Sequence, residues 1–299
     1  MLEDKVKVIY IVGVGRSGST LIGRTIAQSE NIAFVGEART LSTEISSRCG
    51  CGKKVRKCRF WSPILDEVNV DAVQQARNEY RVRDLVFGRP TQIDVPLRQL
   101  AKYYRLIRRE SDARVIVDSS SFPSYLLCLS ESLGIDVRVL HLIRDPRAIA
   151  HSWWKRPLRE NKKNVKPTKR SYKSLRFENP IRSSLIWVIW NYVAEKYKKW
   201  ENKYYSMKYE KFCKKPKVEL SRAMKKLGIK ERPEWEEDGR ICLPTQHSLR
   251  GNPNRFEDGI TKIEQRSDWR EGLSNLTKLL VSGLTAPLLS RYGYSFRKV

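Results

Sequence analysis

The sequence predicts an α/β fold in which a central parallel sheet of about five strands lies between two layers of helices. Short apolar runs rich in β-branched residues alternate with stretches of helical periodicity, and the first run leads directly into a glycine-rich loop. The predicted strands lie at 6–12, 32–35, 114–117, 137–143 and 204–208. The runs at 114–117 and 137–143 are almost continuously apolar, which is typical of parallel strands buried on both faces.

The predicted helices complete a single domain over residues 1–299. A helical segment, LIGRTIAQS, follows the glycine-rich loop, and further helices are predicted at 71–83, 96–109, 124–133, 148–155, 182–200, 216–227 and 269–289. Residues 40–110 interrupt the alternation of strand and helix with a cysteine-containing polar stretch and two helices. We therefore interpret 40–110 as a helical insertion.

The composition indicates a basic globular protein and excludes several other classes. The chain has 299 residues, with 59 Lys and Arg against 33 Asp and Glu, and a formal net charge of +26. With 40% hydrophobic residues, 16 Gly and 13 Pro, it is not a low-complexity chain. The longest apolar run, Leu185–Trp190, is far shorter than the roughly 18 residues that indicate a membrane helix.

The net charge indicates the kind of partner that the protein binds, and the cysteine pattern indicates its redox compartment. A charge of +26 implies an anionic partner: nucleic acid, an acidic membrane surface, an acidic glycan or a multiply phosphorylated small molecule. Six unevenly spread cysteines do not form the pattern of a disulfide framework, and the charged first residues do not resemble a cleavable leader. We therefore expect a cytoplasmic protein with reduced thiols.

The glycine-rich loop at residues 13–20, GVGRSGST, fits three phosphate-binding templates. Its glycines match a dinucleotide fingerprint, and Glu37 lies 19 residues after Gly18, near the place of a ribose-binding acid. The loop also matches a P-loop, but Ser19 stands where a nucleotide triphosphatase has its lysine. The third template is a cradle of backbone N–H groups at a helix N-terminus, which the hydroxyl-rich end of the loop favours.

A second polar group begins where the strand 137–143 ends. Ser152 lies eight residues after Arg144, two turns into the following helix, so both side chains can reach one anionic group beside the sheet. Open α/β sheets bind ligands at this carboxyl edge. The alternative is that Arg144 and Asp145 only cap the helix.

Several segments in order carry a family resemblance. They are GVGRSGSTLIGRTI, FVGEAR, RVIVDSS, LIRDPRAIAHSWW, MKYEKF and HSLRGNPNRF, and they cover roughly residues 6–275. Together they resemble sulfotransferases that use 3′-phosphoadenosine 5′-phosphosulfate (PAPS), and above all the bacterial branch that acts on carbohydrates and small molecules and is related to tyrosylprotein sulfotransferases. The resemblance implies a P-loop NTPase-like three-layer α/β/α fold with helical insertions. It also implies transfer of a sulfuryl group from PAPS to an acceptor hydroxyl on a carbohydrate or small metabolite, without a metal. The 40–110 insertion would carry part of the acceptor site.

The resemblance assigns residues to the cofactor. The loop would hold the 5′-phosphosulfate, Arg144 and Ser152 the 3′-phosphate, and the Arg-Gly segment at 250–251 would close over that phosphate. Tyr209 matches a tyrosine that approaches the adenine, although it also fits a core position. The cofactor-binding residues implied in this way are Gly13, Gly15, Arg16, Ser17, Gly18, Ser19, Thr20, Arg144, Ser152, Tyr209, Arg250, Gly251 and Asn252.

Two residues are predicted to be catalytic, Glu37 and Arg16. Glu37 lies in the family's Gly-Glu-x-Arg pattern, and a carboxylate can accept the proton of an attacking hydroxyl. An anchor for substrate or loop and a ribose ligand remain open for Glu37, and none of the three histidines fits a base position. The family often has a lysine where this chain has Ser121. Either Arg16, the Ser19 hydroxyl or a further, basic residue stabilises the leaving phosphate, or the enzyme is slow or specialised.

Three cysteines have a spacing that could ligate zinc. Cys49, Cys51 and Cys58 lie close together in the sequence, but no fourth ligand is evident near them. We therefore predict free or locally paired thiols and no metal site.

The most basic segment is Lys155–Arg176, with ten Lys or Arg and one acid. We predict a mobile loop that is either a solvated surface or a dock for an anionic acceptor such as an acidic glycan. No aromatic and basic platform supports specific nucleic-acid binding, and peripheral membrane contact stays open. The alternative functions are a P-loop kinase, which Ser19 disfavours, and a basic nucleic-acid-binding protein, which the ordered phosphate motifs disfavour.

Overall fold

A computed structural model describes residues 5–79, 94–161 and 179–296, and within these ranges five strands form the central sheet. They are β1 (Val6–Val12), β2 (Ile32–Gly36), β3 (Val115–Ser121), β4 (Ile135–Ile143) and β5 (Tyr204–Lys208). Their order is β2-β3-β1-β4-β5, and each adjacent pair is parallel. The predicted parallel sheet of about five strands is confirmed.

Twelve α-helices occur in the described ranges. They are α1 (Ser19–Ile26), α2 (Leu41–Glu44), α3 (Trp61–Glu67), α4 (Val70–Glu79), α5 (Asp94–Ser111), α6 (Pro123–Glu131), α7 (Pro146–Asn161), α8 (Pro180–Glu195), α9 (Tyr209–Lys214), α10 (Pro216–Lys226), α11 (Trp269–Gly272) and α12 (Asn275–Arg291).

Helices cover both faces of the sheet, and each strand contributes side chains to both faces because its side chains alternate between them. In β1, Val8 and Tyr10 belong to one hydrophobic cluster, whereas Ile9 and Ile11 belong to another. The first cluster includes residues of α3, α5 and α6, and the second includes residues of α1, α9 and α10. These helices form the two outer layers, so the three-layer α/β/α architecture is also confirmed.

The insertion at 40–110 contributes to the core of the domain. Trp61 of α3 and Tyr103 of α5 are fully buried on the same sheet face. Helix α5 extends two residues beyond the predicted 96–109 at each end. The helix predicted at 71–83 begins at Val70, and its predicted end lies outside the described residues.

Several features of the second half differ from the prediction. The helix predicted at 182–200 ends as an α-helix at Glu195 and continues as a 3₁₀ helix, Lys196–Lys199. The helix predicted at 269–289 is two helices, because the Ser274 hydroxyl accepts a hydrogen bond from Thr277 N and begins α12. The sequence also did not predict a small antiparallel pair, β6 (Ile241–Leu243) and β7 (Gly259–Thr261).

The structure describes only the first part of the basic segment Lys155–Arg176. Residues up to Asn161 continue helix α7, so the start of the predicted mobile loop is helical, and Lys155 forms an ion pair of 3.1 Å with Asp268. Residues 162–176 of the predicted loop lie outside the described residues. Among the helices that the structure describes, none combines the length and apolar character needed to cross a membrane.

Candidate active site

The glycine-rich loop lies at the carboxyl end of β1, between β3 and β4. Gly13 N donates a hydrogen bond of 3.3 Å to Ser121 O at the end of β3. A Cβ on Gly13 would lie 2.5 Å from Leu142 O of β4. A Cβ on Gly18, which has φ +101°, would lie 2.5 Å from the Tyr209 ring. The loop therefore requires glycine at both positions, the first for close approach and the second also for its backbone conformation.

The loop presents hydrogen-bond donors toward the start of α1. Helix α1 begins at Ser19, and no side chain caps its N-terminus, so the positive end of the helix dipole and its first N–H groups remain available to an anion. Ser17 is 1% exposed, and its hydroxyl has no hydrogen-bond partner among the described residues. A buried polar group without a partner is costly, and a bound phosphate would satisfy it.

The structure brings the predicted basic residues together beside this loop. Arg16 Nε donates to Ser152 Oγ at 2.9 Å, and an Arg144 terminal nitrogen donates to Arg16 O at 2.7 Å. Arg144 Nε is buried, and no partner for it is present in the described part of the chain. Two guanidinium groups and a hydroxyl thus converge from the loop, the end of β4 and helix α7, an arrangement suited to a phosphate.

Tyr209 lies behind the loop. The Arg144 guanidinium stacks 4.4 Å from the centre of its ring, and burial raises the pKa of its hydroxyl above the ordinary value. Tyr209 therefore packs the loop against the start of α9, and contact with an adenine stays a prediction. Gly15 lies against the ring of Trp153 on the other side.

The predicted closing segment also reaches the loop. Asn252 N donates to Thr20 Oγ1 at 3.1 Å, and Gly251 lies against the same side chain. Leu249 N donates to Val35 O at 3.0 Å, which attaches the segment to the end of β2. The segment 249–252 therefore bridges β2 and α1.

Glu37 follows β2 and faces two guanidinium groups. Its Oε2 lies 3.4 Å from an Arg39 terminal nitrogen and 4.0 Å from Arg250 Nε. The side chain is 24% exposed, so it can still meet a substrate. These contacts fit both a general base and an anchor that holds Arg250 over the loop.

The end of β3 carries a buried carboxyl group and, at Ser121, a strained backbone. Asp118 accepts hydrogen bonds from Tyr104 Oη and from Ser120 N, and burial raises the pKa of Asp118 to about 6. Ser121, where the family often has lysine, has φ +68° and turns its hydroxyl back to Ser119 O. Arg39 Nε donates to Ser120 O at 3.2 Å, so a guanidinium lies at this strand end instead.

His141 is a core residue. It is fully buried, contacts Tyr204 Oη and Asn191 Oδ1, and burial lowers its pKa to about 4. His151 is also buried and packs against Gly272 of α11.

The third histidine lies in a side-chain cluster that sequence reasoning missed. His247 Nδ1 lies 3.2 Å from Cys58 Sγ, in a cluster that also contains Cys49 and Cys51. A fourth candidate ligand therefore does lie near the three cysteines, although 189 positions separate it from Cys58 in the sequence. No local spacing in the sequence could have indicated this contact.

Comparisons with known proteins agree with the family resemblance and with the fold. The model of the sulfotransferase domain family matches residues 7–272. The sulfotransferase domain of an olefin synthase from Synechococcus PCC 7002 is similar in structure, with a TM-score of 0.54, 18% identity, and coverage of 98% of this chain and 96% of that one. The sulfotransferase domain from the curacin biosynthetic pathway has a TM-score of 0.56, 16% identity, and coverage of 98% of both chains. No curated protein matches the sequence significantly.

Proposed function

From the premise that this chain belongs to the sulfotransferase family and is a transferase enzyme, we propose that it moves a sulfuryl group from PAPS to an acceptor hydroxyl. We further propose that the acceptor is a carbohydrate or a small metabolite, with anionic glycans favoured by the net charge of +26. The observation that carries the proposal is the convergence of Arg16, Arg144 and Ser152 beside a glycine-rich loop with unsatisfied buried donors.

We assign two phosphate positions to this arrangement. The loop N–H groups, Ser17 Oγ and the uncapped N-terminus of α1 would hold the 5′-phosphosulfate. Arg144 and Ser152 would hold the 3′-phosphate, and Arg250 with Gly251 and Asn252 would cover it. Ser19 occupies the place of a P-loop lysine, which favours this nucleotide over a triphosphate.

The residues of the site have distinct roles in the transfer. PAPS supplies a sulfuryl group whose bond to the 5′-phosphate breaks as the acceptor oxygen bonds to sulfur. Glu37 would take the hydroxyl proton, and its contacts with Arg39 and Arg250 would orient its carboxylate. Arg16 and the loop N–H groups would stabilise the negative charge that develops on the departing phosphate.

Acceptor-dependent product release tests the proposal. The purified protein is incubated with PAPS and with separate pools of neutral polysaccharides, acidic polysaccharides and small hydroxylated metabolites, and 3′-phosphoadenosine 5′-phosphate is measured by chromatography. We expect release with at least one pool and sulfate attached to that acceptor. Release without attached sulfate, or ATP consumption in its place, would contradict the proposal.

A further inference from the structure

Four side chains form a cluster of potential metal ligands outside the set of residues assigned to the nucleotide. The thiols of Cys49, Cys51 and Cys58 and the imidazole of His247 place their ligand atoms within 4.8 Å of one another. Cys49 and Cys58 are fully buried, whereas Cys51 and His247 are half-buried. The proposed sulfuryl transfer uses none of these groups.

Four distances between ligand atoms in the cluster are close to those of a tetrahedral metal site. With zinc–sulfur bonds of about 2.3 Å and zinc–nitrogen bonds of about 2.0 Å, ideal geometry separates two sulfurs by ~3.8 Å and sulfur from nitrogen by ~3.5 Å. The Cys58 sulfur lies 3.8 Å from that of Cys49 and 3.6 Å from that of Cys51. His247 Nδ1 lies 3.8 Å from the Cys49 sulfur and 3.2 Å from the Cys58 sulfur.

The surrounding structure holds the four groups in place. The Cys49 backbone N–H donates to Lys53 O at 2.8 Å, which forms a tight turn around Cys51. The His247 ring stacks on Phe60 with the planes 9° apart, and Trp61 Nε1 donates to His247 O at 2.8 Å. Because these contacts fix the ligands before any ion binds, little conformational entropy is lost on binding.

We propose that Cys49, Cys51, Cys58 and His247 bind one Zn²⁺ ion in a closed structural site. Three thiolates and one imidazole are a typical ligand set for structural zinc, and four protein ligands leave no position for a substrate. This proposal departs from the expectation, drawn from the sequence alone, that the chain has no metal site.

The site would fasten the cysteine turn to the segment that covers the loop. Gly50 N donates to Ser248 O at 2.9 Å, and the buried Arg255 donates to both Ser248 O and Arg48 O. Arg250 and Gly251 follow directly. Zinc at His247 would therefore stabilise the approach of Arg250 to the proposed phosphate site.

Metal content tests the proposal independently of catalysis. The full chain is purified without chelators, desalted, and analysed for zinc by plasma mass spectrometry beside Cys51→Ser and His247→Ala. Cys242→Ser is the matched control, because Cys242 is an exposed thiol on β6 outside the cluster. We expect about one equivalent of zinc in the wild type and the control, and a loss of most of it in the two ligand variants.

Two further measurements on the wild-type protein test the proposal even if a ligand variant folds poorly. Wild-type protein reconstituted with Co²⁺ should show the thiolate charge-transfer band and the intense visible bands of tetrahedral cobalt. Less than about a tenth of an equivalent of zinc in wild type incubated with Zn²⁺ and desalted would overturn the proposal. Equal zinc in folded ligand variants, or a disulfide between two of the three cysteines, would overturn it as well. Failure of the sulfuryl-transfer assay would leave the metal result unaffected.

Discussion

Replacement of Arg144 tests where the 3′-phosphate binds. In Arg144→Ala, one charge-assisted contact with that phosphate is lost, and such contacts contribute about 1.5–3 kcal/mol. The affinity for 3′-phosphoadenosine 5′-phosphate should therefore fall about 10- to 150-fold. The variant also loses the hydrogen bond to Arg16 O and the stacking on Tyr209, which affect the loop whichever nucleotide binds.

Adenosine 5′-monophosphate separates these two effects, because it lacks the 3′-phosphate. Calorimetric titration of wild type and Arg144→Ala with both nucleotides should show a large loss for the bisphosphate and a much smaller one for the monophosphate. Arg222→Ala is the charge-matched control, since Arg222 is 65% exposed and pairs with Glu219 on α10. Equal losses for both nucleotides would refute the assignment of Arg144 to the 3′-phosphate.

Three further substitutions give separate expectations. Glu37→Gln should lower kcat about 10²- to 10⁴-fold with bisphosphate affinity nearly unchanged, and loss of affinity with normal turnover would instead assign Glu37 to the nucleotide. Gly18→Ala should lower the free energy of unfolding, measured by urea titration, by about 1–3 kcal/mol more than Gly239→Ala does. Both glycines have positive φ, but only at Gly18 would the new methyl group meet a ring, that of Tyr209. Since the pKa of Asp118 is raised from 3.8 to about 6, the folded protein binds this proton more tightly, and the resulting stabilisation is present below about pH 4 and lost as the pH rises to about 6. Asp118→Asn should remove about 1–3 kcal/mol of the difference in unfolding free energy between pH 4 and pH 7, and an unchanged difference would contradict the raised pKa.

The sheet could be predicted because parallel strands buried on both faces leave a continuous apolar signal in the sequence. Helix ends were less accurate, since they depend on single hydrogen bonds such as the one that Ser274 accepts at the start of α12. The pair β6 and β7 has three residues in each strand, and Cys242, Gly259 and Ile260 are exposed, so no apolar pattern marks it.

Some residues of the candidate site could likewise be predicted from the sequence, whereas others could not. Arg16, Arg144 and Ser152 lie on motifs at the carboxyl ends of predicted strands, so their proximity follows from the rule that these ends share one edge of the sheet. His247 lies on a segment without regular structure, and its contact with Cys58 depends on the path of that segment past Phe60 and Trp61. Such a contact can be found only once the chain is folded.

The choice of nucleotide tests the central claim most directly. Calorimetric titration of the wild-type protein with 3′-phosphoadenosine 5′-phosphate, ATP and NAD, each at the same ionic strength, compares the three readings of the glycine-rich loop. We predict micromolar binding of the bisphosphate and much weaker binding of the other two. Binding of ATP or NAD without binding of the bisphosphate would contradict the account of the loop and of the residues placed around it.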